Sequence, residues 1–351
     1  MIASAARVLT EAEDAAWDAF VAAHPLGRGL ITSASRRWWG ANGWTLHSIG
    51  AFEDGRITAG AALCLKPIPA LSLRLARVNA LLLDPARPGE SAAALLACAE
   101  AFAREARAVE IEVRCRIPGA MPVDGIAWAE LLRPVLAERG YAAASVGDST
   151  FVNELAGDDE ALLTSLGKKC RRDVRKGQRE GVEVVRLTGA EDLRLFCRAH
   201  WRTCDRKGLH RQKPSGNFEA LLPVFERGHL HLYAARWRGE LMNLALVDAL
   251  GLARWELGAS TDALVEKSAP PTGQVLHFEI MRSLRDHGRR HYDMGGAPGP
   301  EPRADHPNYT VWRFKHEFGG RFVEFLPAAR RALMPGGALL TGAARRLGRL
   351  A

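Results

Sequence analysis

The sequence lacks every short signature that would announce one of the commoner enzyme chemistries. It contains no GxSxG elbow, no Walker loop and no GxGxxG turn after a strand, which removes the serine-hydrolase, P-loop and dinucleotide-binding readings. The six cysteines, at 64, 98, 115, 170, 197 and 204, are scattered; none forms a CxxC pair, and no Cys/His set has zinc-ligand spacing. They read as buried or incidental thiols of a reducing compartment. The N-terminus shows no basic stretch followed by an apolar one, so no secretory leader is expected. The longest apolar run, 57–83, is broken by Lys66, Pro67, Pro69, Arg74 and Arg77, too polar for a membrane span. A cytoplasmic chain with no transmembrane segment is the expectation.

What is present suits two domains. The 351 residues are 47% apolar and 25% charged, enough for hydrophobic cores without a structural metal or disulfide. Lysine and arginine exceed the acids by 48 to 40, a formal charge of +8. Such an excess matters only where it clusters, because clustering creates the potential that attracts phosphates.

The chain states one pattern twice. Residues 46–63 and 230–247 each read as strand, tight turn, strand, with Gly55 and Gly239 at the turns. A third strand follows in each half, at 77–83 and 252–257. Helices at 89–107 and 272–287 come next, the latter with Leu276, Ile280 and Leu284 in helical spacing, and short strands at 109–114 and 290–294 close the pattern. Helices at 11–23 and 33–41, and again at 190–206 and 217–227, precede the hairpins. Two α/β units with mixed sheets are the simplest account. The boundaries expected are 1–157 and 158–330, joined after a strand at 151–155, with a surface-packed or frayed tail at 331–351.

Between 168 and 179 stand seven basic residues and one acid. Lys168, Arg171, Arg172, Arg175 and Arg179 share one helix face, with Lys169 and Lys176 beside it. Five like charges on a stripe repel one another unless an anion is near, so the helix reads either as a solvated face or as a phosphate contact blind to sequence. Gly181 then caps it and a strand begins at 182. No zinc finger, zipper or aromatic RNA-binding signature accompanies the stripe, and DNA is not expected as a partner.

Two motifs lie near the end. Asp293 closes a strand before Gly295 and Gly296, a position where mixed α/β sheets bind ligands, so Asp293 is expected to be catalytic with Lys315, and Gly295, Gly296 and Phe314 to bind substrate; equally, Asp293 would serve by bonding loop amides. A helix at 309–318 then carries Phe314 and Lys315 and is capped by Gly319–Gly320. Acyl transfer from an ester to an amine develops a negative oxygen, and a fixed cation there is worth several kcal/mol. Lys315 is a donor of that kind, a clamp on a ligand phosphate, or a solvent-facing lysine. His229 and His231 point to one side of a strand, as packing or surface residues do.

Taken together, the basic helix, Asp293…Gly295-Gly296 and Phe314-Lys315…Gly319-Gly320 make the chain resemble the Fem-type aminoacyltransferases, over about residues 15–326. The early Trp17, Phe20, His24-Pro25 and Gly27, and the Trp38–Trp44 region, add weaker support. The resemblance implies two tandem acetyltransferase-like (GNAT) domains with a cleft between them, no coiled-coil arm, and an acceptor bound in that cleft. It implies a tRNA acceptor end entering the second domain, with the basic helix near the tRNA. Lys315 would stabilise transition-state charge, and Arg211 would contact the acceptor's diphosphate. Arg36 or Arg37 would stand in for a first-domain lysine that holds a nucleotide-linked muropeptide. Aminoacyl-tRNA would be the co-substrate, with no metal or organic cofactor, and a monomer is expected. The chain departs from the family in having few tyrosines, only 141, 233, 292 and 309, and in carrying Glu256 and Leu257 where aromatics are common.

The leading expectation is therefore transfer of an amino acid from aminoacyl-tRNA to the amine of a peptidoglycan precursor or related small peptide or metabolite. The alternative is an acyl-CoA-dependent N-acyltransferase. Acetyltransferases cradle the CoA diphosphate on exposed amides at a helix start; Pro270 and Pro271 remove two of them here. An RNA-binding protein without catalysis leaves the terminal motifs unused and ranks last.

Overall fold

A computed structural model of the chain describes residues 6–69, 71–145, 147–208, 218–266 and 269–337. Two seven-stranded sheets organise them. The first is built from β1 (Ala6–Val8), β2 (Thr45–Glu53), β3 (Arg56–Pro67), β4 (Arg74–Leu82), β5 (Ala108–Val113) and β6 (Ala142–Ala143). The second comprises β7 (Ser149–Glu154), β8 (Val182–Leu187), β9 (Leu230–Trp237), β10 (Glu240–Asp248), β11 (Ala253–Ser260), β12 (His291–Ala297) and β13 (Arg321–Glu324). A last strand, β14 (Ala329–Ala332), returns to the first sheet.

The strand orders are β1-β2-β3-β4-β5-β14-β6 and β13-β7-β12-β11-β10-β9-β8. Read from opposite ends, they are the same sheet. In both, one parallel pair (β4 with β5, β11 with β12) is flanked by antiparallel pairs. The expected hairpins are closed by two-residue loops, Asp54–Gly55 and Arg238–Gly239. All four residues have positive φ, between 48° and 77°, the geometry that matches strand twist.

Each sheet is covered by helices, and the spacing of Leu276, Ile280 and Leu284 had marked the buried face of one of them. On the first lie α1 (Asp14–Ala23), α2 (Arg36–Ala41), α3 (Pro88–Glu105) and α4 (Trp128–Glu138). Trp17 is fully buried and its Nε1 donates to Ile31 O at 2.9 Å; truncating such a side chain costs about 3–5 kcal/mol. The second sheet carries α5 (Asp159–Ser165), α6 (Lys168–Arg179), α7 (Ala190–Arg206), α8 (Leu222–Glu226), α9 (Asp262–Glu266), α10 (Thr272–Asp286) and α11 (Tyr309–His316). The basic helix is α6, and it buries Cys170, Val174 and Gly177. A Cβ on Gly177 would sit 2.5 Å from Val275 Cγ2, so glycine sets how closely α6 lies on α10.

The chain divides into two compact units, and the division differs from the boundaries read off the sequence. The first holds residues up to Gly27, Ile31–Asp148 and Glu324 onward; the second holds Arg28–Leu30 and Ser149–Val323. The strand at 151–155, taken as the end of the first domain, is β7 and lies between β12 and β13 of the second sheet. In its place between β5 and β6 sits β14, which straddles the expected boundary between second domain and tail, with Ala329–Ala332 registered against residues 110–113. The repeats thus exchange one strand each. Pairing partners in a sheet are non-local, so linear order assigned both strands to the wrong unit.

Candidate active site

In the second unit the parallel pair β11/β12 is registered only at Ala253↔Tyr292 and Arg254↔Asp293. Beyond that point both strands bulge. Leu246 pairs Leu257 while Val247 pairs Trp255, leaving Glu256 as the extra residue of β11. On β12 an extra residue falls between Asp293 and Gly296. Bulges bend strands and re-aim side chains, and here the two strands part. Gly295 makes the bend possible, with φ +77° and a would-be Cβ only 2.9 Å from Trp255 O.

The parted ends wall a cavity of about 320 Å³, lined by residues of β11, α7, α10 and α11 together with Gly295 and Gly296. Lys315 and Phe314 both line it. Lys315 is 5% exposed, so it is not the solvent-facing lysine that a short helix commonly carries. Its Nζ donates to Gly296 O at 2.7 Å and lies 5.0 Å from the centre of the Trp255 ring. A carbonyl dipole and a cation–π contact offset part of the cost of burying the ammonium. Beside it, burial and then the Lys315 charge push the His277 imidazole down to about 3. His277 is therefore neutral, and its Nδ1 pairs with Tyr292 OH at 2.9 Å. Phe314 packs edge-on to Phe318, centroids 5.2 Å apart.

Asp293 takes the second of the roles its sequence position allowed. It is 1% exposed and is not among the residues lining the cavity. Its Oδ1 accepts from Gly295 N at 2.7 Å and lies 2.5 Å from Thr150 Oγ1; its Oδ2 is 3.2 Å from Arg254 Nε. Asp293 fixes the turn whose next carbonyl, Gly296 O, holds Lys315. Arg254 in turn pairs with Glu256 at 2.5 Å, and Glu256 with Arg28 at 3.3 Å. The Arg28–Leu30 segment is pinned by Asp248, whose carboxylate accepts from Gly29 N at 2.9 and 3.0 Å. Burial, partly countered by Arg28, pushes that carboxyl up to about 6.

The remaining candidates lie elsewhere. On α6, Lys169 bridges Asp173 (3.1 Å) and Glu317 (2.8 Å), Arg175 pairs with Glu160 (3.0 Å), Lys176 with Glu180 (3.7 Å), and Arg172 lies 3.8 Å from Asp173. Lys168, Arg171 and Arg179 have no ion-pair partner among the described residues, so the like-charge stripe is relieved in part. In the first unit Arg36 is engaged by Asp14 and Arg37 is exposed. Arg211 lies outside the described residues. His231 is a packing residue, bonded to Gly228 O at 3.1 Å and pushed by burial down to about 4. No group of metal-ligand residues occurs among the described residues, and no described helix is long and apolar enough to cross a membrane.

Sequence reasoning did not find Thr150, Arg254, Trp255, His277 or the contact between His200 and Cys204. The bulges that gather them depend on cross-strand register, which leaves no local signature.

Residues 165–309 match the family described as Acetyltransferase (GNAT) domain. A protein named lipid II:glycine glycyltransferase from Staphylococcus saprophyticus is 24% identical, covering 87% of this chain and 88% of its own. Its namesake from Staphylococcus aureus is 22% identical over 86% and 87%. The solved structure of FemX superposes with a TM-score of 0.80 at 19% identity, covering 96% of this chain and 99% of that one. The fold is thus that of FemX, two tandem GNAT domains, and the chain is similar in sequence to the lipid II:glycine glycyltransferases. A weaker likeness of fold, TM-score 0.54 at 16% identity, extends to the C-terminal domain of a putative lysylphosphatidylglycerol synthetase from Agrobacterium fabrum. This tandem GNAT architecture accounts for the repeated sheet, and its second copy carries the opened strand pair.

Proposed function

We propose that this protein is an aminoacyltransferase that moves an amino acid from aminoacyl-tRNA to an amine of a peptidoglycan precursor, with glycine the first donor to test. The observation that carries the reading is Lys315: a buried ammonium held on the wall of a cavity of substrate size, at the place where a sheet opens. The relatives' name, lipid II:glycine glycyltransferase, supports the acceptor class and the amino acid. Transfer takes the ester carbonyl through a tetrahedral species, and Lys315 donates to its oxyanion. Removing one such donor costs about 10²–10³ in rate. The exposed face of α6, with Lys168, Arg172 and Arg179 turned outward and Arg171 beside them, would take the tRNA backbone, and Arg211, Arg36 and Arg37 would serve the acceptor. A cytoplasmic monomer without metal or organic cofactor completes the reading.

The acyl-CoA alternative is disfavoured by the start of α10. Pro270 and Pro271 have no amide hydrogen, and Thr272 N is already spent on Pro270 O at 2.7 Å, so few amides remain for a diphosphate. The test is a titration with charged tRNA, uncharged tRNA and acetyl-CoA at two salt concentrations. Salt-sensitive binding that favours charged tRNA, weakened and flattened when Arg171, Arg172 and Arg175 are replaced together, is expected. Binding of acetyl-CoA with indifference to tRNA would overturn the proposal.

A further inference from the structure

The same cavity holds a thiol and an imidazole that the scheme above leaves unused. His200 and Cys204 are one turn apart on α7, and both line the cavity that Lys315 and Phe314 line. Cys204 Sγ lies 3.4 Å from His200 Nε2, within range of an S–H···N bond. The other ring nitrogen, Nδ1, is 2.8 Å from Gly258 O. A carbonyl only accepts, so Nδ1 carries the hydrogen and Nε2 presents its lone pair to the thiol. Nucleophile, base and an orienting acceptor are thus in line, the arrangement by which weak nucleophiles are activated.

The surroundings hold this geometry. Thr203 Oγ1 lies 3.1 Å from Ser260 O and accepts from Ser260 N at 3.0 Å, while Arg206 Nη2 donates to Ser260 O at 2.6 Å. Together they tie α7 to the end of β11. Phe196 stacks on the imidazole at 5.8 Å, and Phe218 meets it edge-on at 6.0 Å. Burial lowers the His200 pKa, which keeps the ring neutral with its Nε2 lone pair unprotonated.

We propose that Cys204 and His200 are a nucleophile–base pair that takes up the acyl group of an activated ester as a thioester before the amine receives it. His200 Nε2 removes the thiol proton and the thiolate attacks the ester carbonyl. The C–S bond forms, the C–O bond breaks, and the departing alkoxide takes the proton from Nε2. The acceptor amine then attacks the thioester; the C–N bond forms, the C–S bond breaks, and the amine's proton returns the thiolate to thiol. Lys315 faces the negative oxygen of each tetrahedral species. This deepens the acyl-transfer reading of the cavity and rests on it.

The experiment uses the full chain and p-nitrophenyl acetate, an ester that needs no tRNA. A burst of nitrophenolate of about one equivalent is expected, as for covalent catalysis, with the acetyl group on the peptide that contains Cys204. Cys204→Ala abolishes the burst, and His200→Gln slows it by about 10²-fold or more. Cys204→Ser, near-isosteric, checks by its melting curve that the fold survives change at this position. A wild-type-sized burst in Cys204→Ala, or label on another cysteine, overturns the pair. With glycyl-tRNA and acceptor, acid quenching of the wild type traps glycine on Cys204, and Cys204→Ala loses at least about 10²-fold in transfer rate. Transfer undiminished in Cys204→Ala sinks the relay and leaves the transferase reading standing. A Cys204-dependent burst in a protein that never transfers glycine keeps the pair and sinks the transferase reading.

Discussion

The two sheets are one design carried to different ends. In the first, β4 and β5 stay paired through five registered residues, from Arg74 to Val78, and Arg114 N then donates to Val78 O at 2.9 Å. In the second, registered pairing stops after two. The last shared position is the same in kind: Arg77 opposite Glu112, and Arg254 opposite Asp293, each with arginine Nε 3.2 Å from the acid. Both β-bulges follow, with Asn79 the extra residue in one and Glu256 in the other.

What differs is what the acid does next. Glu112 is enclosed by Arg77, Arg114 (2.9 Å) and Arg330 of β14 (2.7 Å). Burial alone would raise its pKa; Arg77, Arg330 and Arg114 together bring it below the ordinary value. Asp293 instead turns to Gly295 N and Thr150 and fixes a bend that parts the strands. A cation cage keeps one sheet shut, and a glycine bend opens the other. The lesson is that a duplicated scaffold acquires a site by losing a strand pairing at one position.

That contrast can be broken from either side. The largest expected effect is on stability in the first unit: Glu112→Gln removes the buried anion that half-buried Arg77 and Arg330 and exposed Arg114 share and should cost about 3 kcal/mol in denaturant unfolding, with kcat unchanged. Equal loss of kcat would tie the closed sheet to catalysis. In the second unit, Gly295→Ala asks a non-glycine residue to hold φ +77° against the Trp255 carbonyl. It should cost about 1–3 kcal/mol and lower transfer, because Gly296 O no longer places Lys315; full activity would mean that the bend is not what positions the lysine.

Acid should strike through His277. Its folded pKa, near 3, lies below the ordinary value of 6.5, so the unfolded chain binds a proton between those values that the folded chain does not. Stability from this group is complete above pH 6.5 and is lost as pH falls toward 3, about 2 kcal/mol of it by pH 5. His277→Gln should flatten unfolding free energy between pH 7 and 5 relative to wild type; an unchanged slope would deny the histidine its buried neutral state. The smallest effect is at Gly177→Ala on α6. Overpacking against Val275 should cost about 1 kcal/mol after the gain in helix propensity, with tRNA affinity preserved. Weakened tRNA binding there would show that α6 geometry, and not its charge alone, matters.

Much of this architecture was legible in the chain. Gly55 and Gly239 announced the two hairpins because only a few residue types accept positive φ at both turn positions. The spacing of Leu276, Ile280 and Leu284 marked the buried face of α10. The charge run at 168–179 gave α6, and Gly181, with φ +78°, ends it as expected. The exchange of β7 and β14 was not legible, since nothing in a strand's sequence names its neighbour. Nor was the burial of Lys315: α11 is aromatic on several sides, and no period separates its inner face from its outer one. Glu256 became a cavity residue only because a bulge shifted the alternation of β11, and Cys204 met His200 only through the helical turn and the anchoring of α7 to Ser260.

The central claim is that the opened strand pair of the second unit is an acyl-transfer site with Lys315 as its charge-stabilising donor. The measurement that tests it most directly is single-turnover transfer of labelled glycine from glycyl-tRNA to a peptidoglycan precursor, by wild type and by Lys315→Ala, with melting curves alongside. The account predicts transfer by the wild type and a rate about 10²–10³ lower in the variant at similar melting temperature. Equal rates in the two proteins, or no transfer by a folded wild type, would contradict it.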